Sequence, residues 1–528
     1  MSSSDTPADR PSLPEGVRTI LRPGGVVTQS GWPTGPVRSV HVVRIGGAGM
    51  SAVARLALES GLQVSGSDSQ DGQFIGPLRE AGARIGIGFD ETLLAPDVDV
   101  VVVSTAVRDD NVEVLAARRR GIPVVHRAAA LAGLLQDHRI LAIAGTHGKT
   151  STTAMAALAL RGAGEDPAWA LGAAVPDLGR NAGLRERDDD AGTAQQAAES
   201  AEAGSGARDA RAPLAVVEAD ESDGSFLAFA PSAVVVTNLE ADHLDFHGDE
   251  PTLVAAFDAL ADRLLPGGTL IVCADDAGAA ALGERAAQRG IDVRTYGRAA
   301  HADWRLLEEA PEAAGTHARL STPHGLIELD LRVTGHHNVL NAMGALAGTA
   351  ALPVEGAQES SAARVRALAA GMGPFTGASR RFDLRGVVRG VPVFDDYAHH
   401  PREVEATIEA ARGIVGPSGR VLVAFQPHLY SRTRNFAEAF ARALGRADEA
   451  WVMPVYGARE DPDPTVTAHT VTDRAEPGAR LHALDDRAET APALAAAARE
   501  GDVVLLLGAG DIVEETPGVL AALDGGDA

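Results

Sequence analysis

Arg139-Ile-Leu-Ala-Ile-Ala-Gly145-Thr-His-Gly148-Lys149-Thr150-Ser-Thr-Thr153 is the stretch on which the reading of this chain turns. The apolar run up to Ala144 reads as a buried strand, Gly-Thr-His-Gly as a tight turn, and the run from Lys149 as the start of a helix. Backbone N–H groups of such a turn and the positive end of the helix cradle phosphate oxygens. The lysine neutralises transferring charge, and the hydroxyl after it can ligate Mg²⁺. A full phosphate-loop pattern has a glycine where Ile143 stands, so this turn is a shortened variant. The plain alternative is a turn with an exposed lysine. Composition bears on that choice, because Lys149 is the only lysine among 47 basic residues. Arginine replaces lysine freely on a solvated surface but not where a compact ammonium is needed. The survival of one lysine inside this turn favours phosphate binding.

Working outward, 528 residues with 45% hydrophobic and 23% charged content suit about three domains. A net charge of −25 argues against a general nucleic-acid binder and against a basic membrane-surface protein, so no nucleic acid and no membrane are expected as partners. A single cysteine, Cys273, excludes an internal disulfide framework and a cysteine-rich zinc site, and core packing is its expected role. Neither a secretory leader pattern nor an apolar run of membrane-spanning length is present, and a cytoplasmic location is expected.

The first 37 residues read as a loosely ordered tail rich in Ser, Pro, Gly and Asp. From Ser39, β-like runs alternate with alanine-rich helical stretches, which is the pattern of parallel α/β sheets. Three consecutive α/β domains are expected: a Rossmann-like one over 38–137, a central P-loop-type ATPase over 138–373, and a second Rossmann-like one over 374–528. The polar stretch 185–212 reads as a surface insertion.

Other motifs fall just after predicted strands, where ligands of open sheets gather. Val216-Val-Glu218-Ala-Asp220-Glu221-Ser-Asp223 offers four carboxylates, one of which can hold a divalent cation beside the phosphates, the alternative being a solvated acidic loop. Thr237-Asn-Leu-Glu240-Ala-Asp242-His243 offers His243 as a metal ligand or a surface residue. Gly335-His-His337-Asn338-Val-Leu-Asn341 places polar residues on one helix face, to read an adenine edge or to cap and pack the helix. Ile45-Gly46-Gly47-Ala48-Gly49-Met50-Ser51, with Asp68 further on, reads as a pyrophosphate-binding turn, although Arg44 stands at the first glycine of the dinucleotide pattern. In the last third, Asp395-Asp396-Tyr397-Ala-His399-His400 and His428-Leu-Tyr-Ser-Arg432-Thr-Arg434 suit a small carboxylate-bearing substrate, or a helix cap and surface arginines.

Taken in order, GTHGKT, EADESDGSF, TNLEADHLD, HHNVLN, RRFD, DDYAHHP and GAGDI resemble the Mur ligase family from Val40 to Ile512. The resemblance implies an ATP-dependent, Mg²⁺-assisted ligase of peptidoglycan precursor synthesis. Its substrates would be ATP, UDP-N-acetylmuramic acid and L-alanine, coupled through an acyl phosphate, in a monomer or weak homodimer. By the same resemblance, Lys149, Glu218 and His243 are the catalytic set, with Thr150, Glu218 and His243 toward metal. The ATP side comprises Gly145, Thr146, His147, Gly148, Lys149, Thr150 and Ser151, with His337 and Asn341 at adenine and Arg381 and Asp396 from the last domain. Gly47, Ala48, Gly49, Met50, Ser51, Asp68 and Ser104 match the UDP-sugar side. Tyr397, His399, His428 and Arg432 match the amino-acid side.

Two departures from the family pattern stand out. Arg44 replaces a glycine, which puts the geometry of the first turn in question, and Leu429 stands where many relatives have an arginine that contacts the amino-acid carboxylate. Family members that add later residues use a carbamylated lysine at a second metal, and this chain has no spare lysine for it. The alternatives are a family member that recycles an intact tripeptide, an NAD(P)-dependent oxidoreductase resting on the Gly46–Gly49 turn, and an idle sugar-nucleotide-binding regulator.

Overall fold

The computed structural model describes residues 31–184, 212–241, 244–312, 315–352, 361–378, 382–416, 418–458 and 460–525. The chain divides into two compact units, Met1–Thr376 and Gly377–Ala528. The first unit holds two sheets and the second holds one.

The first sheet comprises β1 (Ser39–Val43), β2 (Gln63–Asp68), β3 (Arg84–Ile87), β4 (Val100–Val103) and β5 (Val124–His126) in the order β3-β2-β1-β4-β5, all parallel. The order reverses between β1 and β4, and the Gly46–Gly49 turn follows β1 at that switch point, where doubly wound sheets open a crevice. The end of β2, which carries Asp68, is pinned from below. Buried Glu113 accepts from Ser67 Oγ at 2.6 Å and from the Asp90 amide at 3.1 Å, and lies 3.2 Å from His41 Nε2.

The second sheet runs β6 (Arg139–Ala144), β7 (Ala168–Ala170), β8 (Ala182–Gly183), β9 (Leu214–Glu218), β10 (Ala233–Val236), β11 (Thr269–Cys273), β12 (Asp292–Gly297), β13 (Trp304–Glu312), β14 (Gly315–Thr322) and β15 (Gly325–Leu331). In space the order is β15-β14-β13-β12-β11-β10-β6-β9-β7-β8. Strand β6 lies between β10 and β9, parallel to both. Every residue of β6, β10 and β11 is buried, as strands covered by helices on both faces must be. Cys273 packs in this core, where burial pushes its thiol up to about 11.

The β13-β14-β15 meander is antiparallel and falls outside the alternating pattern read from sequence. Along β14 and β15 buried and more exposed residues alternate, as in a half-buried ribbon, whereas continuous apolar runs mark the parallel strands.

The second unit contains β16 (Asp383–Val388), β17 (Val391–Asp396), β18 (Val421–Phe425), β19 (Glu449–Val452), β20 (Leu481–Ala483) and β21 (Val503–Leu507), ordered β16-β17-β21-β18-β19-β20. Only β16 is antiparallel to its neighbour. The fold class read from sequence, three consecutive α/β sheets, is the one observed. Among the described residues no helix is long and apolar enough to cross a membrane.

The helix that begins at Lys149 runs to Gly162 and crosses the helix Ala362–Gly371 at two glycines. A Cβ on Gly162 would lie 2.3 Å from the Gly371 Cα, and one on Gly371 would lie 2.8 Å from the carbonyl oxygens of Leu158 and Ala159. Gly371→Val is expected to lower the thermal midpoint by several degrees, with about 1–3 kcal/mol of overpacking. Gly413→Ala, in an exposed helical position with open space around it, should leave the midpoint unchanged or raise it. Thermal unfolding of both variants by circular dichroism checks this.

Candidate functional site

The turn between β6 and the helix Lys149–Gly162 is built on two glycines in the left-handed region, Gly145 at φ 129° and Gly148 at φ 81°. A Cβ on Gly145 would stand 2.1 Å from Thr237 Oγ1, and one on Gly148 would stand 2.4 Å from Asn341 Oδ1. Neither position admits a side chain. The segment after β10 staples the turn in place. Thr237 Oγ1 and Asn238 Nδ2 donate to the His147 carbonyl at 2.6 and 3.1 Å, and Asn238 Oδ1 accepts from the His147 amide at 2.7 Å. The Glu240 amide donates to Thr146 Oγ1 at 3.0 Å, and His147 Nε2 lies 3.8 Å from Glu240 Oε2.

Lys149 folds over this turn. Its Nζ donates to the carbonyls of Gly145 at 2.7 Å and Thr146 at 3.2 Å, and lies 2.8 Å from Glu221 Oε2. The two side chains are 12% and 1% exposed, so this is a buried ion pair. Burial alone pulls the Lys149 pKa down. The carboxylates of Glu221, Asp220 and Glu218 outweigh it and hold the ammonium above its ordinary value. Thr150 is buried at the helix start and Ser151 is half-buried beside it.

The four carboxylates after β9 are not a solvated run. Three of them have structural partners. Glu221 pairs with Lys149, Asp220 Oδ2 lies 2.8 Å from Arg127 Nη2, and Asp223 Oδ2 lies 3.4 Å from His126 Nε2. Glu218 stands at the carboxyl end of β9, level with Ile143 of β6. Its Oε2 accepts from the Gly172 amide at 3.0 Å. It is the one of the four that makes no close ion pair among the described residues, although its charge acts on Lys149 and Arg127. His243 lies outside the described residues, as does Arg381.

His337 and Asn341 sit on the first turns of the helix His336–Ala351. Neither caps it: Gly335 holds the N-cap position, and no side chain bonds there. His337 is exposed, while buried Asn341 covers Gly148. Of the alternative that these residues cap and pack the helix, the capping part does not hold, while Asn341 does pack against the turn.

In the first sheet the turn Arg44–Gly47 closes with the Gly47 amide donating to the Arg44 carbonyl at 3.2 Å. Arg44 adopts φ 58°, the conformation a glycine would take with less strain, and its guanidinium lies over the Phe89 ring at 5.9 Å. Asp68 Oδ2 accepts from the Gly46 amide at 2.8 Å, so this carboxylate braces the turn itself. Gly47, Ala48, Gly49, Met50 and Ser51 open the helix Ala48–Glu59. Ser51 Oγ donates to the Ala48 carbonyl, and both accept from Asn181 Nδ2, at 3.0 and 2.8 Å. Ser104 follows β4, next to β1 in the sheet.

In the second unit, Tyr397, His399 and His428 form a row of rings with centroids 5.2 and 5.8 Å apart, which Tyr456 extends by stacking 5.8 Å from His428. Arg432 is buried in the first turn of the helix Tyr430–Leu444. Leu429, at φ 70° and 2% exposed, is that helix's N-cap, so the departure from arginine fills an apolar site. Buried Asp396 accepts from the amides of Phe382 at 2.7 Å and Ala398 at 2.8 Å. Glu403 Oε2 accepts from the amides of His399 and His400, which caps the helix Pro401–Ile414.

The description "Mur ligase family, catalytic domain" matches residues 39–139, "Mur ligase middle domain" 143–349 and "Mur ligase, glutamate ligase domain" 380–510. The chain belongs to the Mur ligase family. Among Mur ligases, the UDP-N-acetylmuramate--L-alanine ligase of Paenarthrobacter aurescens is 46% identical over 487 residues, covering 92% of this chain and 97% of its own. That of Kineococcus radiotolerans is 47% identical over 488 residues, covering 92% and 96%. The solved UDP-N-acetylmuramate-alanine ligase of Thermotoga maritima has a TM-score of 0.71 at 26% identity, covering 92% and 99%. A murein peptide ligase of Psychrobacter arcticus shares the fold with a TM-score of 0.69 at 22% identity, covering 93% and 100%.

Sequence reasoning missed Glu221 as the partner of Lys149, Arg127 as the partner of Asp220, and Tyr456. Their sequence separations hide the pairings, although a strand-end position flags Glu221 and Arg127. For Asp223, burial raises the carboxyl pKa, but Arg127 and His126 outweigh that and hold it well below the usual range. A depressed carboxyl contributes its stability above its unfolded pKa of about 3.9 and loses it as pH falls toward the folded value. Asp223→Asn is therefore expected to cost about 3 kcal/mol at neutral pH. It should also show a shallower further loss than wild type below about pH 4, read from thermal midpoints across pH.

Proposed function

We infer that this chain is an ATP-dependent ligase that joins L-alanine to the lactyl carboxylate of UDP-N-acetylmuramic acid in peptidoglycan precursor synthesis. The observation that carries the chemistry is the buried Lys149 ammonium, held across a two-glycine turn beside the strand-end carboxylate Glu218. The near end-to-end match to L-alanine ligases carries the substrate.

In this reaction the γ-phosphoryl group of ATP passes to the lactyl carboxylate, leaving ADP and an acyl phosphate. The amine of L-alanine then attacks the acyl phosphate, and the tetrahedral intermediate collapses to amide and phosphate. The turn Gly145–Gly148 supplies backbone N–H groups to the phosphates, with Thr150 and Ser151 at the helix start. Lys149, kept protonated by its acidic neighbours, exchanges its carbonyl contacts for phosphate oxygens and offsets their charge. Asn341 holds the far side of the turn, and His337, exposed at the same helix start, faces adenine.

The donor set fits Mg²⁺. Thr150 and Glu218 offer hard oxygens on either side of the turn, and this cation takes one or two carboxylates plus substrate phosphates and water. When bound it spreads the charge of the transferring phosphoryl group, with His243 proposed at a second ion. Gly47–Ser51, Asp68 and Ser104 hold the UDP-sugar side. Tyr397, His399, His428 and Arg432 hold the amino acid in the second unit, with Asp396 and Arg381 toward nucleotide.

A tripeptide-recycling ligase is the second reading, favoured only by the fold shared with a murein peptide ligase. Phosphate release by the purified chain with ATP, Mg²⁺ and UDP-N-acetylmuramic acid should require L-alanine, and release with tripeptide alone would overturn the assignment. Lys149→Arg should lower kcat at least about 100-fold, since a planar guanidinium does not fit between two turn carbonyls and Glu221. Glu218→Gln should raise the Mg²⁺ concentration needed for half-maximal rate by about 10-fold or more, measured in the same assay.

A further inference from the structure

Arg127 opens the helix Arg127–Leu134 directly after β5, and its guanidinium is engaged on two sides. On one side Nη2 lies 2.8 Å from Asp220 Oδ2 and 3.7 Å from Asp223 Oδ2. On the other, the guanidinium lies against Gly49, so closely that a Cβ there would stand 3.1 Å from Nη1 and 3.6 Å from Cζ. One side chain thus touches both the turn after β1, on the sugar-nucleotide side, and the loop after β9, which follows Glu218 and carries the Lys149 partner Glu221. Burial lowers the Arg127 pKa, but Asp223 and Asp220 more than offset this, so the bridge is fully ionised.

We propose that Arg127 is a positioning residue that couples the two nucleotide sites, tying the Gly49 turn to the Asp220 loop through one guanidinium. The proposal rests on the ATP and sugar-nucleotide reading above. A diphosphate settling on the turn after β1 presses on the helix start at Gly49, and Arg127, lying between Gly49 and Asp220, passes the displacement to Asp220. That shift moves Glu218 and Glu221, the residues flanking the phosphate turn. By linkage the effect is reciprocal: occupancy of the phosphate turn fixes the loop and, through Arg127, presents Gly49 in one position. A lysine cannot replace it, because an ammonium has a single nitrogen, whereas Arg127 meets the carboxylates with Nη2 while a second, Nη1, lies against Gly49.

The test is calorimetric titration of UDP-N-acetylmuramic acid into the full chain, with and without a non-hydrolysable ATP analogue and Mg²⁺. Wild type should bind the sugar nucleotide at least about fivefold more tightly with the analogue present. Arg127→Lys and Asp220→Asn should each bring that ratio to about one, and the double variant should bring it no lower. Thermal midpoints identify folded variants, and Asp220→Asn, nearly isosteric with the native residue, carries the test if Arg127→Lys does not fold. A folded variant that keeps the wild-type ratio, or a wild-type ratio of one, overturns the proposal. Failure of wild type to bind either nucleotide instead overturns the functional reading, and the proposal with it.

Discussion

Burying an ammonium beside the end of a strand is costly unless a carboxylate and several carbonyls meet it there. Lys149 imposes that requirement on the centre of this molecule, and the surrounding structure is arranged to satisfy it. The carboxylate comes from Glu221 on the loop after β9, the immediate parallel neighbour of β6. The carbonyls come from the turn itself, which must be wound tightly enough to present them, hence glycine at 145 and 148. The turn in turn needs an outer brace, which β10, the neighbour on the other side, delivers through Thr237 and Asn238. Three adjacent parallel strands therefore each contribute one part of a single electrostatic arrangement, and strand order explains why these parts meet.

Charge is divided with the same economy. Of the four acidic residues between 218 and 223, Glu221 pairs with Lys149, Asp220 and Asp223 share Arg127, and Glu218 accepts only a backbone amide. A loop carrying four negative charges would otherwise repel the phosphates it borders. Two cations set against three of them reduce that repulsion and leave Glu218 for a divalent ion.

Much of this was legible in the sequence. The strand-turn-helix at Arg139–Thr153, the three-sheet organisation and the strand-end position of each motif follow from periodicity and turn chemistry. The partners of the carboxylates were not legible, because Glu221 lies 72 residues from Lys149 and Asp220 lies 93 from Arg127. Local pattern carries no information on pairs closed by tertiary topology. The antiparallel β13–β15 meander was missed because its alternation is that of a half-exposed ribbon. Arg44 and Leu429, read as losses, turned out to be non-glycine residues in left-handed turns. Each is held by its surroundings, one by Phe89 and the other by burial, and neither kind of support can be read from spacing.

The lone lysine has a chemical consequence of its own. Apart from the chain's terminal amine, reagents that acylate primary amines find one target here, and that target is shielded and held protonated by Glu221. An ammonium must lose its proton to become a nucleophile, so acylation proceeds only as fast as the turn opens and the pair separates. Lys149 is thus a native reporter on the motion of its own phosphate turn, without any engineered label.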